Sequence, residues 1–222
     1  GSASVVARGL VPFALSTDTA GSGRVPAAFN QIVGLKPTPG AVPSTGLVPA
    51  CRTLDCIGVL ALNVADSATV LALMEGMDAS DSYSRPRPAL AKHTPLAQLR
   101  VGVPQTRRLS DAYEAAFHTF VARLQPQTQA VQPMAFDTLQ EVANLLYYGP
   151  WVAERVVGAR SIYDAQPEAL LPVIRQVLDV HQRFTAVDTF AAQYRLQALQ
   201  QQAEKIWETV DVLCVPSAPR HP

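Results

Sequence analysis

The sequence predicts an α/β fold. Short β-rich runs alternate with longer amphipathic segments, and turn residues separate them. The 222 residues are 48% hydrophobic, enough to bury a sizeable core. Val70, Leu71, Leu73 and Met74 recur at helical spacing.

The elements follow in chain order. Residues 5–7 read as a helix end, and residues 10–15 as a strand running into a small-residue loop at 17–24. Residues 26–30 form the first turn of a helix, with Pro26 early in it. Residues 35–40 are turn chemistry, and residues 53–62 are a buried strand. Asp66 caps a helix over residues 67–76, with Gly76 as the stop. Residues 77–98 make a polar, Pro-rich connection. Residues 100–104 are a β run ended by Pro104, and residues 111–125 an amphipathic helix carrying Tyr113, Phe117, Phe120, Val121 and Leu124 on one side. Residues 131–136 form another strand. Helices follow at 139–148 and 152–163, split by Gly149-Pro150, and at 170–181 and 188–210. The aromatic residues of that last helix read as core. Residues 212–215 close the series as a buried strand.

Composition excludes several functions. Lys and Arg together number 18 and Asp and Glu also 18, so no net charge draws the chain to nucleic acid or an anionic membrane. The longest apolar runs, 57–62 and 212–215, are too short to span a bilayer. Cys51, Cys56 and Cys214 form neither a CxxC pair nor a metal-ligand cluster, and read as reduced thiols of a cytoplasmic protein. His93, His118, His181 and His221 have no partner spacing and read as surface or satisfied residues. The chain opens on Gly1-Ser2 without Met and stops after a strand-like run, so both ends read as cut from something longer.

The segment Thr17-Asp18-Thr19-Ala20-Gly21-Ser22-Gly23-Arg24 carries the chemistry. Small residues around a serine let a tight turn gather backbone N–H groups at one point. The N–H groups of Thr19, Ala20, Gly21 and Ser22 could hold the oxygen of a tetrahedral intermediate, at about 3–4 kcal/mol per donor. Ser22 Oγ stands beside them as nucleophile. Asp18 and Arg24 flank the turn with opposite charges and can pair to hold its shape. Composition alone leaves a plain Gly/Ser turn as the alternative.

The run from Gly1-Ser2-Ala3 through Gly9-Leu10-Val11-Pro12, the Thr17 to Arg24 loop, Val25-Pro26-Ala27-Ala28-Phe29 and Val33-Gly34-Leu35-Lys36-Pro37-Thr38 resembles the amidase signature family. The resemblance implies an α/β/α sandwich around a mixed β-sheet, one domain over residues 1–222 that lacks its N-terminal part, and no metal or organic cofactor. It implies a Ser–cis-Ser–Lys triad with Ser22 as nucleophile and the backbone of Thr19, Ala20, Gly21 and Ser22 as the oxyanion hole. The family's cis-serine precedes the nucleophile by more residues than separate Gly1 from Ser22, and its lysine lies further upstream. Ser2 is too close to Ser22 to be the cis-serine, and Lys36 matches a position outside the triad that supports the loop. The expectation is therefore a nucleophile without its base, and a chain inactive alone.

Further segments resemble the allophanate-hydrolysing branch of that family: Pro49-Ala50-Cys51-Arg52-Thr53-Leu54-Asp55-Cys56, Asp81-Ser82-Tyr83-Ser84-Arg85-Pro86, Leu146-Tyr147-Tyr148-Gly149-Pro150-Trp151-Val152-Ala153-Glu154-Arg155 and Val215-Pro216-Ser217-Ala218-Pro219. Allophanate is a small urea bearing a carboxylate. By the resemblance, Tyr147 and Arg155 contact it, because an Arg fork suits a carboxylate. Without the resemblance, Arg155 reads as a helix-surface charge and Tyr147 as a core aromatic. The remaining readings are an amidase for another small amide, or a non-catalytic piece that only packs or binds. Family members often pair, so a homodimer is also an expectation.

Overall fold

A computed structural model of the chain describes residues 1–87, 93–105 and 108–220. Contacts divide it into two units, the first within Gly1–Lys92 and the second His93–Arg220. Residues 88–92 of the polar connection, and His221, lie outside the described residues.

The first unit runs α1 (Ser2–Ala7), β1 (Phe13–Asp18), α2 (Arg24–Phe29), β2 (Val33–Leu35), β3 (Cys56–Ala61) and α3 (Val64–Met74). Its three strands form an antiparallel sheet in the order β1-β3-β2. The central strand β3 is almost wholly buried, as its continuous apolar run requires. Its register sets Phe13 against Ala61 and Asp18 against Cys56. Along β1 the side chains alternate, with Ala14, Ser16 and Asp18 turned inward and Phe13, Leu15 and Thr17 outward. The inward face packs on α1 and α2 around Ala3, Val6, Ala27 and Leu60. Gly34 lets α2 lie close on β2: a Cβ there would stand 2.6 Å from Ala27 Cβ and 3.1 Å from the Gly23 carbonyl.

Several boundaries move from the sequence reading. The strand read at 10–15 begins at Phe13 and runs on through Asp18, so the strand itself delivers the loop. Strand β2 meets the turn read at 35–40 only at Leu35, and Val33 and Gly34 carry no strand signal, because three residues are too few to show a period. The cap of α3 is Asn63, whose side chain accepts the Asp66 N–H at 2.8 Å. Asp66 sits three residues after the cap and accepts from Asn63 Nδ2 in return.

The second unit holds β4 (Arg100–Pro104), α4 (Asp111–Leu124), β5 (Ala130–Met134), α5 (Asp137–Tyr148), α6 (Val152–Ala165), α7 (Pro172–Asp179), α8 (Ala186–Glu204) and β6 (Val212–Leu213). Its sheet is parallel, in the order β5-β4-β6. Parallel neighbours need a crossover, and α4 supplies the one between β4 and β5. Val101, Val103 and Phe117 form the buried core between strand and helix. Arg100 ties the ends of β4 and β6 together. Its backbone N–H and its guanidinium grip the Asp211 carboxylate at 2.8 and 2.8 Å, and Nη1 donates to the Glu208 carbonyl at 2.8 Å.

The helix read over 188–210 ends at Glu204 and gives way to a 3-10 turn at Lys205–Glu208. A capping box between Thr185 and Asp188 starts it. Its aromatic residues are not core: Phe190, Tyr194 and Trp207 are exposed, while Ala192 and Leu199 are buried. The chain thus contains both antiparallel and parallel sheet with helices, a mixed α/β architecture.

Candidate active site

The loop from Asp18 to Arg24 closes around one carboxylate. Asp18 ends β1 with its side chain fully buried. Its Oδ1 accepts the Gly21 N–H at 2.7 Å and Arg24 Nη2 at 3.0 Å. Its Oδ2 accepts the Gly23 N–H at 3.2 Å, the Arg24 N–H at 3.0 Å and Arg24 Nε at 2.9 Å. Burial alone would push the Asp18 carboxyl up. The hydrogen bonds from Arg24 and Gly21 and the guanidinium charge outweigh it and hold the group well below the usual carboxylate range.

The glycines of the loop have separate reasons. Gly21 has φ 129°, in the region that side chains avoid. Gly23 passes so close to β1 that a Cβ would stand 2.8 Å from Ser16 Oγ and 3.3 Å from Asp18 Cβ.

Lys36 fastens the loop from the other side. Its ammonium donates to the Asp18 carbonyl, to the Thr19 carbonyl at 3.3 Å and to the Leu54 carbonyl at 3.1 Å. It also lies 3.6 Å from Asp18 Oδ1. A trans peptide sends its N–H opposite to its C=O. With the Asp18 and Thr19 carbonyls turned to Lys36, the N–H groups of Thr19 and Ala20 point the other way. The Gly21 N–H, by contrast, is turned in to Asp18.

Ser22 is exposed between these fixed residues. It opens on a cavity of about 410 Å³ that Ser2, Ser4, Ser16, Thr17 and Leu60 also line. Among the described residues, no side chain hydrogen-bonds Ser22 Oγ.

A third polar hub, Asp55, has no signal in the sequence. It immediately precedes β3 and is 9% exposed. Its carboxylate accepts the Thr19 hydroxyl, the Ala50 N–H at 2.9 Å and the Cys51 N–H at 3.0 Å. Beyond it lies a second cavity of about 280 Å³, lined in part by Ser44, Arg52 and Asp81. Asp81 accepts the Ser44 N–H and hydroxyl at 2.7 and 2.8 Å, and Arg52 lies over the Tyr83 ring at 5.0 Å.

Tyr147 and Arg155 stand in the second unit, on α5 and α6. Tyr147 is 53% exposed, which removes the core-aromatic reading. Arg155 is half-buried, and its Nε is buried and donates to nothing among the described residues. A buried guanidinium N–H left unpaired is costly, and an anionic ligand would satisfy it.

The amidase family model matches residues 1–222. The chain belongs to the amidase family. It is 40% identical over 227 residues to urea amidolyase of Saccharomyces cerevisiae, a match that spans all of this chain and 12% of that protein. Its fold superimposes on Kluyveromyces lactis allophanate hydrolase with a TM-score of 0.87 at 37% identity, spanning all of this chain and 37% of that one. A shorter stretch, 39% of this chain, is 55% identical over 86 residues to a glutamyl-tRNA(Gln) amidotransferase subunit of Staphylococcus aureus, 18% of whose length it spans. This amidase chain therefore covers only a minor part of the length of these relatives. Among its described residues no helix is long and apolar enough to cross a membrane.

Proposed function

We propose that this amidase chain is part of an enzyme that hydrolyses allophanate, with Ser22 as nucleophile. Ser22 Oγ attacks the amide carbon, and the N–H groups of Thr19, Ala20 and Ser22 hold the resulting oxyanion, the Gly21 N–H being spent on Asp18. Ammonia leaves, and water then releases the acyl group from the serine. The proton passes through the cis-serine and lysine that the family resemblance implies at positions outside these residues. In this reading residues 1–222 belong to one amidase-signature domain, in the cytoplasm, in keeping with three free cysteines. A homodimer belongs to the same reading.

One observation carries the substrate: the buried Nε of Arg155, which donates to nothing among the described residues. Allophanate supplies the carboxylate that such a group lacks. Arg155→Ala is expected to raise KM for allophanate about 10- to 100-fold, the worth of a hydrogen bond to a charged group. Acetamide, which has no carboxylate, should be turned over equally by both forms. Unchanged kinetics on allophanate would remove Arg155 from the site.

A second reading is an amidase for a different small amide. The 55% identity over 86 residues to an amidotransferase polypeptide keeps this reading in play, because a relative with a different printed activity shares that stretch. Relative kcat/KM on allophanate, malonamide and acetamide separates the two.

A further inference from the structure

We infer that Asp55 is a positioning residue for the turn that carries Ser22, acting through the Thr19 hydroxyl. The inference rests on Ser22 being the nucleophile, as proposed above.

Thr19 is gripped at two points. Lys36 takes its carbonyl, and Asp55 accepts its hydroxyl. The contacts of Lys36 with the Asp18 and Thr19 carbonyls still let the peptide planes on either side of Thr19 rock about one ammonium, which is a compact charge with rotatable donors. The hydroxyl contact removes that freedom, because it fixes the side chain of the same residue to a second anchor. That anchor is rigid. Asp55 is buried, is held by the N–H groups of Ala50 and Cys51, and leads directly into the central strand β3. Lys36 reaches the same segment through the Leu54 carbonyl. The direction of the Thr19 and Ala20 N–H groups is thus set jointly by a cation and a carboxylate that meet on residues 54 and 55. Asp18 fixes the far half of the turn, at Gly21, Gly23 and Arg24. The two carboxylates divide the turn between them.

A positioning role predicts loss of rate without loss of binding. The test uses the intact protein and an alkyl fluorophosphonate, which forms a bond from Ser22 Oγ to phosphorus as fluoride leaves and the serine proton goes to solvent. Mass spectrometry reads the adduct at Ser22. Thr19→Val keeps the volume and removes the hydroxyl. It is expected to slow adduct formation, and kcat on allophanate, about 10- to 100-fold, the effect of a small misplacement in a site, with KM within about twofold. Thr19→Ser restores the donor and should return both rates to within about threefold of the parent, since it keeps that position. Asp55→Ala should slow labelling at least as much as Thr19→Val, and adding Thr19→Val to it should cause no further fall. Should Asp55→Ala fail to fold, with two backbone N–H groups orphaned, the Thr19 pair decides. Labelling of Ser22 in Thr19→Val at the parent rate would overturn the inference and leave the nucleophile in place. Absence of any Ser22 adduct in the parent protein would overturn the nucleophile, and this inference with it.

Discussion

Replacing Asp18 by Asn changes one oxygen to an NH₂ group and little else, so it isolates the charge and acceptor capacity of the loop's hub. The carboxylate accepts from three backbone N–H groups and from two nitrogens of Arg24. In the better rotamer the amide oxygen replaces Oδ2, and the NH₂ group faces the Gly21 N–H and Arg24 Nη2. The reverse rotamer opposes three donors and is worse. Orphaning a buried donor costs about 1–3 kcal/mol. Arg24 is 47% exposed, so water takes over its donor and its ion pair adds little. The expected loss is therefore about 1–3 kcal/mol at pH 7, nearly all from Gly21. Urea unfolding of parent and variant measures it. The pH dependence has a fixed sign. The folded carboxyl lies below its ordinary value of 3.8, so its contribution is complete above that value and is lost as pH falls toward the folded one. The gap between parent and variant should narrow below about pH 4. A gap under about 1 kcal/mol at pH 7, or one that widens on acidification, would refute the account.

Other expectations are simpler. Ser22→Ala should abolish turnover and phosphonate labelling, yet change stability by no more than about 0.5 kcal/mol, because the side chain is exposed. Gly34→Ala should destabilise by about 1–3 kcal/mol in thermal or urea unfolding, since its Cβ would meet Ala27 Cβ at 2.6 Å. In the second unit the Arg100 side chain and N–H hold the Asp211 carboxyl at about 2, and a carboxyl-carbon NMR titration should find it there. In Arg100→Ala it should return toward 3.8, and the stability it confers above that value should no longer fade as pH falls toward 2.

Much of the fold could be read in the sequence because its signals are local. Residues 56–61 are uniformly apolar and short, and they form the buried central strand. Val101 and Val103 before Pro104 mark β4, and the spacing of Phe117, Val121 and Leu124 marks α4. What escaped depends on pairing. Strand β2 has three residues and no period of its own, and exists because β3 lies beside it. The aromatic residues of α8 satisfy a helical stripe but do not face the core, since helical spacing says which residues share a side and not which side is covered. The site divides the same way. Asp18 and Arg24 sit six positions apart with opposite charges on either side of small residues, a pattern a sequence shows directly. Asp55 meets Thr19 across 36 positions, and only the alignment of β1 with β3 brings them together. A lone aspartate before an apolar run gives no hint of such a partner.

The pairing of Asp18 with Cys56 has a consequence for anyone transplanting this turn. Asp55 is the neighbour of Cys56, so both carboxylates that shape the turn sit at one end of the same strand pair. The eight residues from Thr17 to Arg24 are then not a portable module. Grafted onto another scaffold, they would arrive with Asp18 but without Lys36 and Asp55, and the first half of the turn would be unanchored. The same holds for scanning genomes. A match to the short motif alone selects turns of the right composition. Requiring a lysine and an aspartate at the places of Lys36 and Asp55 would select those that a sheet can hold in shape.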